Sequence, residues 1–163
     1  MILQKENKIL RRTAEIVTDI TSADTKTLIE RMAEAMFAEP DGVGIAAPQI
    51  GASCQIFLVA KDLSFLNSET KKARKKEYSI FINPVIKNLS RKKAKDVEGC
   101  LSVRGIYGEV IRPEKLTVEY YDEQERKHIR GASGLLARII QHEVDHLKGA
   151  LFIDKAKNVK RIT

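Results

Sequence analysis

The sequence predicts an α+β fold, with antiparallel or mixed β-sheets packed around a C-terminal helix and a second helix near the N-terminus. Three observations predict it. Apolar residues recur at helical spacing in one stretch near each end of the chain. Between them lie short β-branched and aromatic runs bounded by glycine, proline and charged turns. The order is helix, several strands, helix, rather than the alternation that builds a parallel βαβ sheet.

Residues 1–20 read as an extended lead-in with a helical turn near Lys8 to Thr13. TSADTKTLIERMAEAMFAEP reads as a helix: Thr21 or Ser22 caps its start, and Leu28, Met32 and Met36 fall on one stripe. Pro40 follows its end, where a proline belongs. DGVGIAAPQIGA is expected to be a small-residue loop, and CQIFLVA a buried strand with Cys54 as an ordinary core cysteine at its edge. Residues 61–77 are polar and lysine-rich and read as a loop. YSIFINPVI is a second strand signal, interrupted at Pro84. VIRPEKLTVEYYD holds a third, with KHIR as its partner across the polar turn DEQER, which makes His128 a surface histidine. ASGLLARIIQHEVDHLKG is the second helix, with Ser133 as N-cap, Leu136, Ile140, Val144 and Leu147 on its apolar face, and Gly149 just past its end.

Composition narrows the function classes. The chain has 163 residues, 43% of them hydrophobic, the size of one domain with a real core. The charged sequence MILQKENKIL interrupts any apolar signal core, and no apolar run approaches the roughly 20 residues that span a bilayer. With only Cys54 and Cys100, the reading is a reducing, cytoplasmic setting with both thiols free and no membrane partner. A net charge of +7 favours an anionic partner such as RNA or a ribosome surface, set against the plainer reading of a solvated basic face. Much of the excess lies in KKARKK (71–76) and RKKAK (91–95). Neither interleaves aromatic residues, so no single-strand stacking platform and no direct DNA binding are expected.

The chemistry concentrates in three segments. QHEVDH places His142 and His146 four apart, hence on one helix face, where both imidazoles can grip one metal ion, set against the plainer reading of two partly exposed histidines. Glu143 is displaced by one residue and reaches a water rather than the same coordination position, the H-E-x-x-H arrangement of two ligands and one general base. A catalytic metal normally takes a third protein ligand and leaves one position open. Cys100, beside Gly99 in VEGCLSV, is the leading candidate; Asp145 and Asp154 rank below it, and Asp145 suits a role orienting a histidine. GVGIAAPQIG lacks the glycine spacing of a phosphate loop, but its small residues admit a substrate backbone, and Gln49 offers an amide donor to an oxyanion.

Together these segments resemble the peptide deformylases. The family's motif G-φ-G-φ-A-A-x-Q matches at Gly42 to Gln49, E-G-C-L-S at Glu98 to Ser102, and Q-H-E-x-D-H at Gln141 to His146, in the family's order. The resemblance runs from LRRTAEIV near residue 10 to LFID at 151–154, and implies one deformylase-like catalytic domain over residues 1–163. It implies a metal-dependent hydrolase that removes the formyl group from the N-terminal methionine of new polypeptides, with N-formylmethionyl nascent peptides as partners. The metal ligands map onto Cys100, His142 and His146, holding one divalent ion, typically Fe2+, with Zn2+, Ni2+ or Co2+ also able to occupy the site. The catalytic glutamate maps onto Glu143, and the groups that hold the formyl oxygen onto the Gln49 side chain and the Leu101 backbone N–H. Gly44 falls where substrate main chain is contacted; Gly99 lies beside the site, and Val43, Leu135 and Ile139 are expected walls of a methionine pocket.

One departure stands out. The family commonly has proline after C-L-S-φ, and here Arg104 stands there. It frees a backbone angle and adds charge near the expected cleft mouth, while all three ligands and the base remain. Two rival readings are a zinc endopeptidase and a basic RNA-binding module with a structural metal. The 17 residues after His146 contain no histidine or glutamate to complete an endopeptidase site, and three protein ligands rather than four argue against a structural one. Ribosome contact by the lysine clusters is a further expectation, which unchanged ribosome association after charge reversal would remove.

Overall fold

The computed structural model describes residues 1–67 and 73–162. Helix α1 spans Ala23–Ala38, and Ser22 is its cap, its side chain accepting from the Thr25 N–H at 3.1 Å. The helix stops at Glu39, whose extended backbone is what a following proline demands. Strands then follow: β1 (Gly44–Ala46), β2 (Ile56–Ala60), β3 (Tyr78–Leu89), β4 (Lys93–Cys100), β5 (Val103–Pro113), β6 (Lys115–Tyr121) and β7 (Lys127–Ser133). Helix α2 (Gly134–Leu147) and strand β8 (Lys157–Arg161) complete the order. Strands β1-β2-β3-β6-β7 form one sheet and β4-β5-β8 a second, every pairing antiparallel. The α+β expectation holds, and of "antiparallel or mixed" the strand pairings are antiparallel.

Strand β2 explains why its sequence is an unbroken apolar run. Ile56, Leu58 and Ala60 face α1 and pack with Ile29, Met32 and Met36. Phe57 and Val59 face the other way, toward Ile139, Ile140 and Val144 of α2. A strand covered on both faces has no side on which a polar residue is tolerated. Phe57 stacks on Phe81 with ring centroids 4.5 Å apart, and Phe81 meets Tyr120 in a tilted pair at 4.4 Å, which carries the core across three strands. A third cluster, Leu10, Val103, Val110, Leu151 and Phe152, seats the smaller sheet. Gly149 adopts φ +75°, and a side chain there would strike the Arg11 carbonyl, so the turn after α2 requires glycine.

Several expectations are corrected. The small-residue stretch 41–52 is not merely a loop: it holds β1 and a 3₁₀ turn, Ala47–Ile50. Pro84 does not end β3, which continues to Leu89 through a register shift between Ile82 and Val85. Asn83, at φ 49°, turns its side chain to accept from the Val17 N–H and donate to the Val17 carbonyl, both at 2.9 Å. Ser133 stands at the N-cap position of α2, but its side chain makes no capping hydrogen bond. Strands β4 and β8 and the first half of β5 lie where no strand is expected. Of the KKARKK cluster, Lys71 and Lys72 lie outside the described residues, and Arg74 is not a solvated charge. Its guanidinium lies over the rings of Phe37 and Phe65, at 4.9 and 4.2 Å, and donates to the Gly42 carbonyl.

Candidate metal centre

Strand β4 ends against α2, and this crossing brings Cys100 to the histidine pair. One ligand atom each from Cys100, His142 and His146 lies within 4.8 Å of the others, and the Cys100 sulfur stands 3.3 Å from His146 Nε2. Both rings occupy one face of α2, with centroids 5.1 Å apart, as i and i+4 positions must. Both thiols of the chain are free. Burial raises the Cys54 thiol to about 11, which fits its expected role as a plain core residue.

The surroundings fix the donors. His142 Nδ1 pairs with Glu98 Oε2 at 3.0 Å, which directs Nε2 toward the sulfur side. Glu98 in turn receives Arg112 Nε at 2.5 Å and Nη2 at 3.0 Å, and Arg138 Nη1 at 2.8 Å. Glu98 and both arginines are buried, so their charges are screened little by water. Burial alone would raise the Glu98 carboxyl, but the hydrogen bonds from His142 and Arg112 outweigh it and hold it well below the carboxylate range. For His142, burial opposes the charged form, and the Cys100 sulfur and Glu98 overcome it, so its pKa stands well above the ordinary value. His146 lies well below its ordinary value, through burial first and the neighbouring positive groups second, and is neutral near pH 7.

Glu143 is buried one position from the ligand ring, and its Oε2 has no hydrogen-bond partner among the described residues. Burial is the main cause that raises it to about 7. Across from it, a side chain at Gly44 would come within 2.6 Å of Glu143 Oε1, so only glycine lets β1 pass so close. Gln49 sits in the 3₁₀ turn after β1. Its Oε1 accepts from the Ala46 N–H at 2.8 Å, which leaves the amide nitrogen aimed at Ser102 Oγ (3.0 Å) and the Cys100 sulfur (3.6 Å).

These groups open into a cavity of about 320 Å³. Val43, Gly44, Gln49, Gly99, Cys100, Leu101, Leu135, Ile139, His142 and Glu143 all line it, while His146 lies behind the wall, 1% exposed. Ile139 is buried and Leu135 is half exposed at the rim. The cavity runs between β1, an edge of the larger sheet, and β4, an edge of the smaller one.

Two expectations for acidic residues are corrected. Asp145 does not orient a histidine; it accepts from Arg112 Nη1 at 2.9 Å and pairs with Lys155. Asp154 is no ligand, being bound to Arg11 at 2.6 Å and to the Leu151 N–H. The carboxylate on His142 is Glu98, which the sequence reading left without a role. The E-G-C-L-S match contains it, but its partners Arg112, Arg138 and His142 lie 14, 40 and 44 residues away, so pattern alone assigns it no role.

Comparison with known proteins gives the same picture. The family described as polypeptide deformylase matches residues 1–162. The chain is 41% identical over 160 residues to a peptide deformylase of Pelagibacter ubique, covering 98% of this chain and 87% of that one. Its fold superimposes on crystals of peptide deformylase from Plasmodium falciparum with a TM-score of 0.84 at 37% identity, covering 97% of this chain and 87% of that one. Against the Thermotoga maritima peptide deformylase the TM-score is 0.84 at 32% identity, with 96% and 97% covered. Motif order, the convergence of one sulfur and two imidazoles, and whole-chain similarity agree: the chain belongs to the polypeptide deformylase family.

Proposed function

We propose that residues 1–163 act as one catalytic domain in which Cys100, His142 and His146 hold a divalent cation, and Glu143, Gln49 and the Leu101 N–H remove the formyl group from N-formylmethionyl peptides. The family's members are metallo-hydrolases that take this group from new polypeptides. The convergence of one sulfur and two imidazoles beside a buried, unpartnered carboxylate carries the reading. The donor set fits a cation. Donors around a tetrahedral ion with bonds of about 2.0–2.3 Å stand roughly 3.4 Å apart, and the sulfur and His146 Nε2 are 3.3 Å apart. A thiolate with two imidazoles suits ferrous iron and zinc, and three protein ligands leave a position for chemistry. We assign Fe2+ as the ion in the cell, with Zn2+, Ni2+ or Co2+ able to replace it.

When bound, the cation supplies Lewis-acid polarisation of the formyl carbonyl and a water acidified toward neutral pH. Glu143 accepts the proton of the attacking water through Oε2. Buried and with Oε2 free of a partner among the described residues, it is placed both to take that proton and to give it back. Gln49 Nε2, oriented by the Ala46 N–H, donates to the developing oxyanion together with the Leu101 N–H. Glu143 then returns the proton to the departing nitrogen, giving formate and a free N-terminus.

The two sheet edges supply the binding mode. An extended peptide between β1 and β4 takes up main-chain hydrogen bonds that an edge strand leaves unmade, beside Gly44 and Gly99. The methionine side chain lies against Val43 and Ile139, with Leu135 at the rim. A cytoplasmic location fits this role, and no described helix is long and apolar enough to cross a membrane. Ribosome contact by the lysine clusters belongs to the same reading, with Lys92 and Lys95 already facing Glu114 and Glu109.

The direct test is formate release from formyl-Met-Ala-Ser by anaerobically purified protein with its metal content measured. Release that is lost with chelation and restored by Fe2+ or Ni2+ supports the proposal. Cleavage of internal peptide bonds without formate release overturns it.

A further inference from the structure

Arg104 follows the Cys100–Val103 turn on the wall built by the smaller sheet, whereas Glu39 caps α1 on the opposite wall. Arg104 Nη2 donates to Glu39 Oε1 at 2.7 Å. Arg104 and Asp41 both line the cavity, so this ion pair joins its two sides at the mouth. The far end of the cavity holds His142 and Glu143, where the formyl group must lie, so the residues after methionine leave toward the mouth. The Arg104 side chain is 54% exposed, and its Nη1 and Nε have no partner among the described residues. A guanidinium engaged through one nitrogen retains a planar edge of donors that suits a second carboxylate. Proline, which the family commonly carries here, offers no donor at all.

We propose that Arg104 is a specificity-determining residue: held across the cleft mouth by Glu39, it selects formyl-methionyl peptides with an acidic side chain at the second or third position. The inference rests on the deformylase reading of the site. Glu39 engages one nitrogen and fixes the arm, so selection comes from the donor edge left on Nη1 and Nε, and Asp41 nearby repels an acidic side chain that strays from it. A lysine in the same place faces Arg104 directly and is disfavoured. Because the pair is largely solvated, the expected preference is modest.

The test measures kcat and KM for amidated formyl-Met-X-Ala and formyl-Met-Ala-X with X as Glu, Gln or Lys, using the metal-loaded protein, with formyl-Met-Ala-Ala amide as neutral reference. We expect a Glu-to-Lys ratio in kcat/KM of about fivefold at one of the two positions, carried by KM, the size of an exposed ion pair. At 0.5 M NaCl, where screening acts within a few ångströms, the ratio falls toward one. Arg104→Gln, with the ratio taken within the variant, also brings it toward one. A wild-type ratio below about 1.5 at both positions, or one that Arg104→Gln reduces by less than half, overturns the proposal. Failure to release formate from the neutral reference would instead count against the deformylase reading itself.

Discussion

Glu143 carries the sharpest consequence at the scale of a single residue. Burial favours its protonated form, so without a cation the group is about half ionised near pH 7. A cation beside it favours the anion, and the acidic limb of kcat/KM in the loaded enzyme therefore falls below pH 7. Glu143→Gln keeps the size and the polarity but has no proton to exchange. Its kcat is expected to fall about 10²- to 10⁴-fold and the acidic limb to vanish, while metal content stays at one equivalent. Steady-state kinetics from pH 5 to 9 with metal analysis decide this; retention of wild-type kcat would remove Glu143 from the proton-transfer role. The ligands and this base are legible from sequence because they share one helix, where spacing translates directly into facing. Glu98 is not, because its partner His142 lies 44 residues away and only the passage of β4 across α2 introduces them.

Between β4 and α2, the pair of elements that makes the site, Glu98 is the fastening. Its carboxyl is depressed below the ordinary value of 4.5, so its stabilising effect is complete above that pH and is lost as pH falls through the folded value. Glu98→Gln leaves buried Arg138 without its anion and Arg112 with Asp145 alone, and gives the two guanidinium groups and His142 Nδ1 a single amide oxygen to share. We expect a loss of about 3 kcal/mol in stability, a 10- to 100-fold weaker metal affinity, and a melting temperature less sensitive to acid below pH 4.5 than that of the wild type. Thermal melts across pH 3–7 and Co2+ titration check these outcomes; unchanged affinity would show that Glu98 does not position the ligand. Elements were readable where burial marks the sequence, as a period in α1, α2 and β6 and as an unbroken apolar run in β2, while the polar turn after β6 pointed to β7. Strand β4 conceals itself because half of its residues are exposed and three of the first four are Lys or Asp, and β8 because every residue of it is exposed. Strand β1 is three residues long and entirely buried, too short for alternation to register.

For the whole molecule, each helix lies on its own face of the larger sheet, and α2 with β1, β4 and β5 lines the cavity. The three core clusters are built from apolar side chains of both sheets and both helices. Metal binding should therefore add only the linkage term: about 2.7 kcal/mol at a hundredfold excess over Kd, or a rise in Tm of roughly 5–10 °C for a chain of this size. Calorimetry with and without Ni2+ measures it. A metal-free protein that lacks cooperative unfolding would instead place this chain among those whose fold depends on the ion.

The tether between Glu98 and its two guanidinium partners bears on how one ion replaces another. It sets the angle at which sulfur and imidazoles meet before any cation arrives, much as a mould outlasts each casting. One divalent ion can then give way to another without the chain being rebuilt. The element bound would follow from which ion is at hand rather than from a rearrangement of the protein.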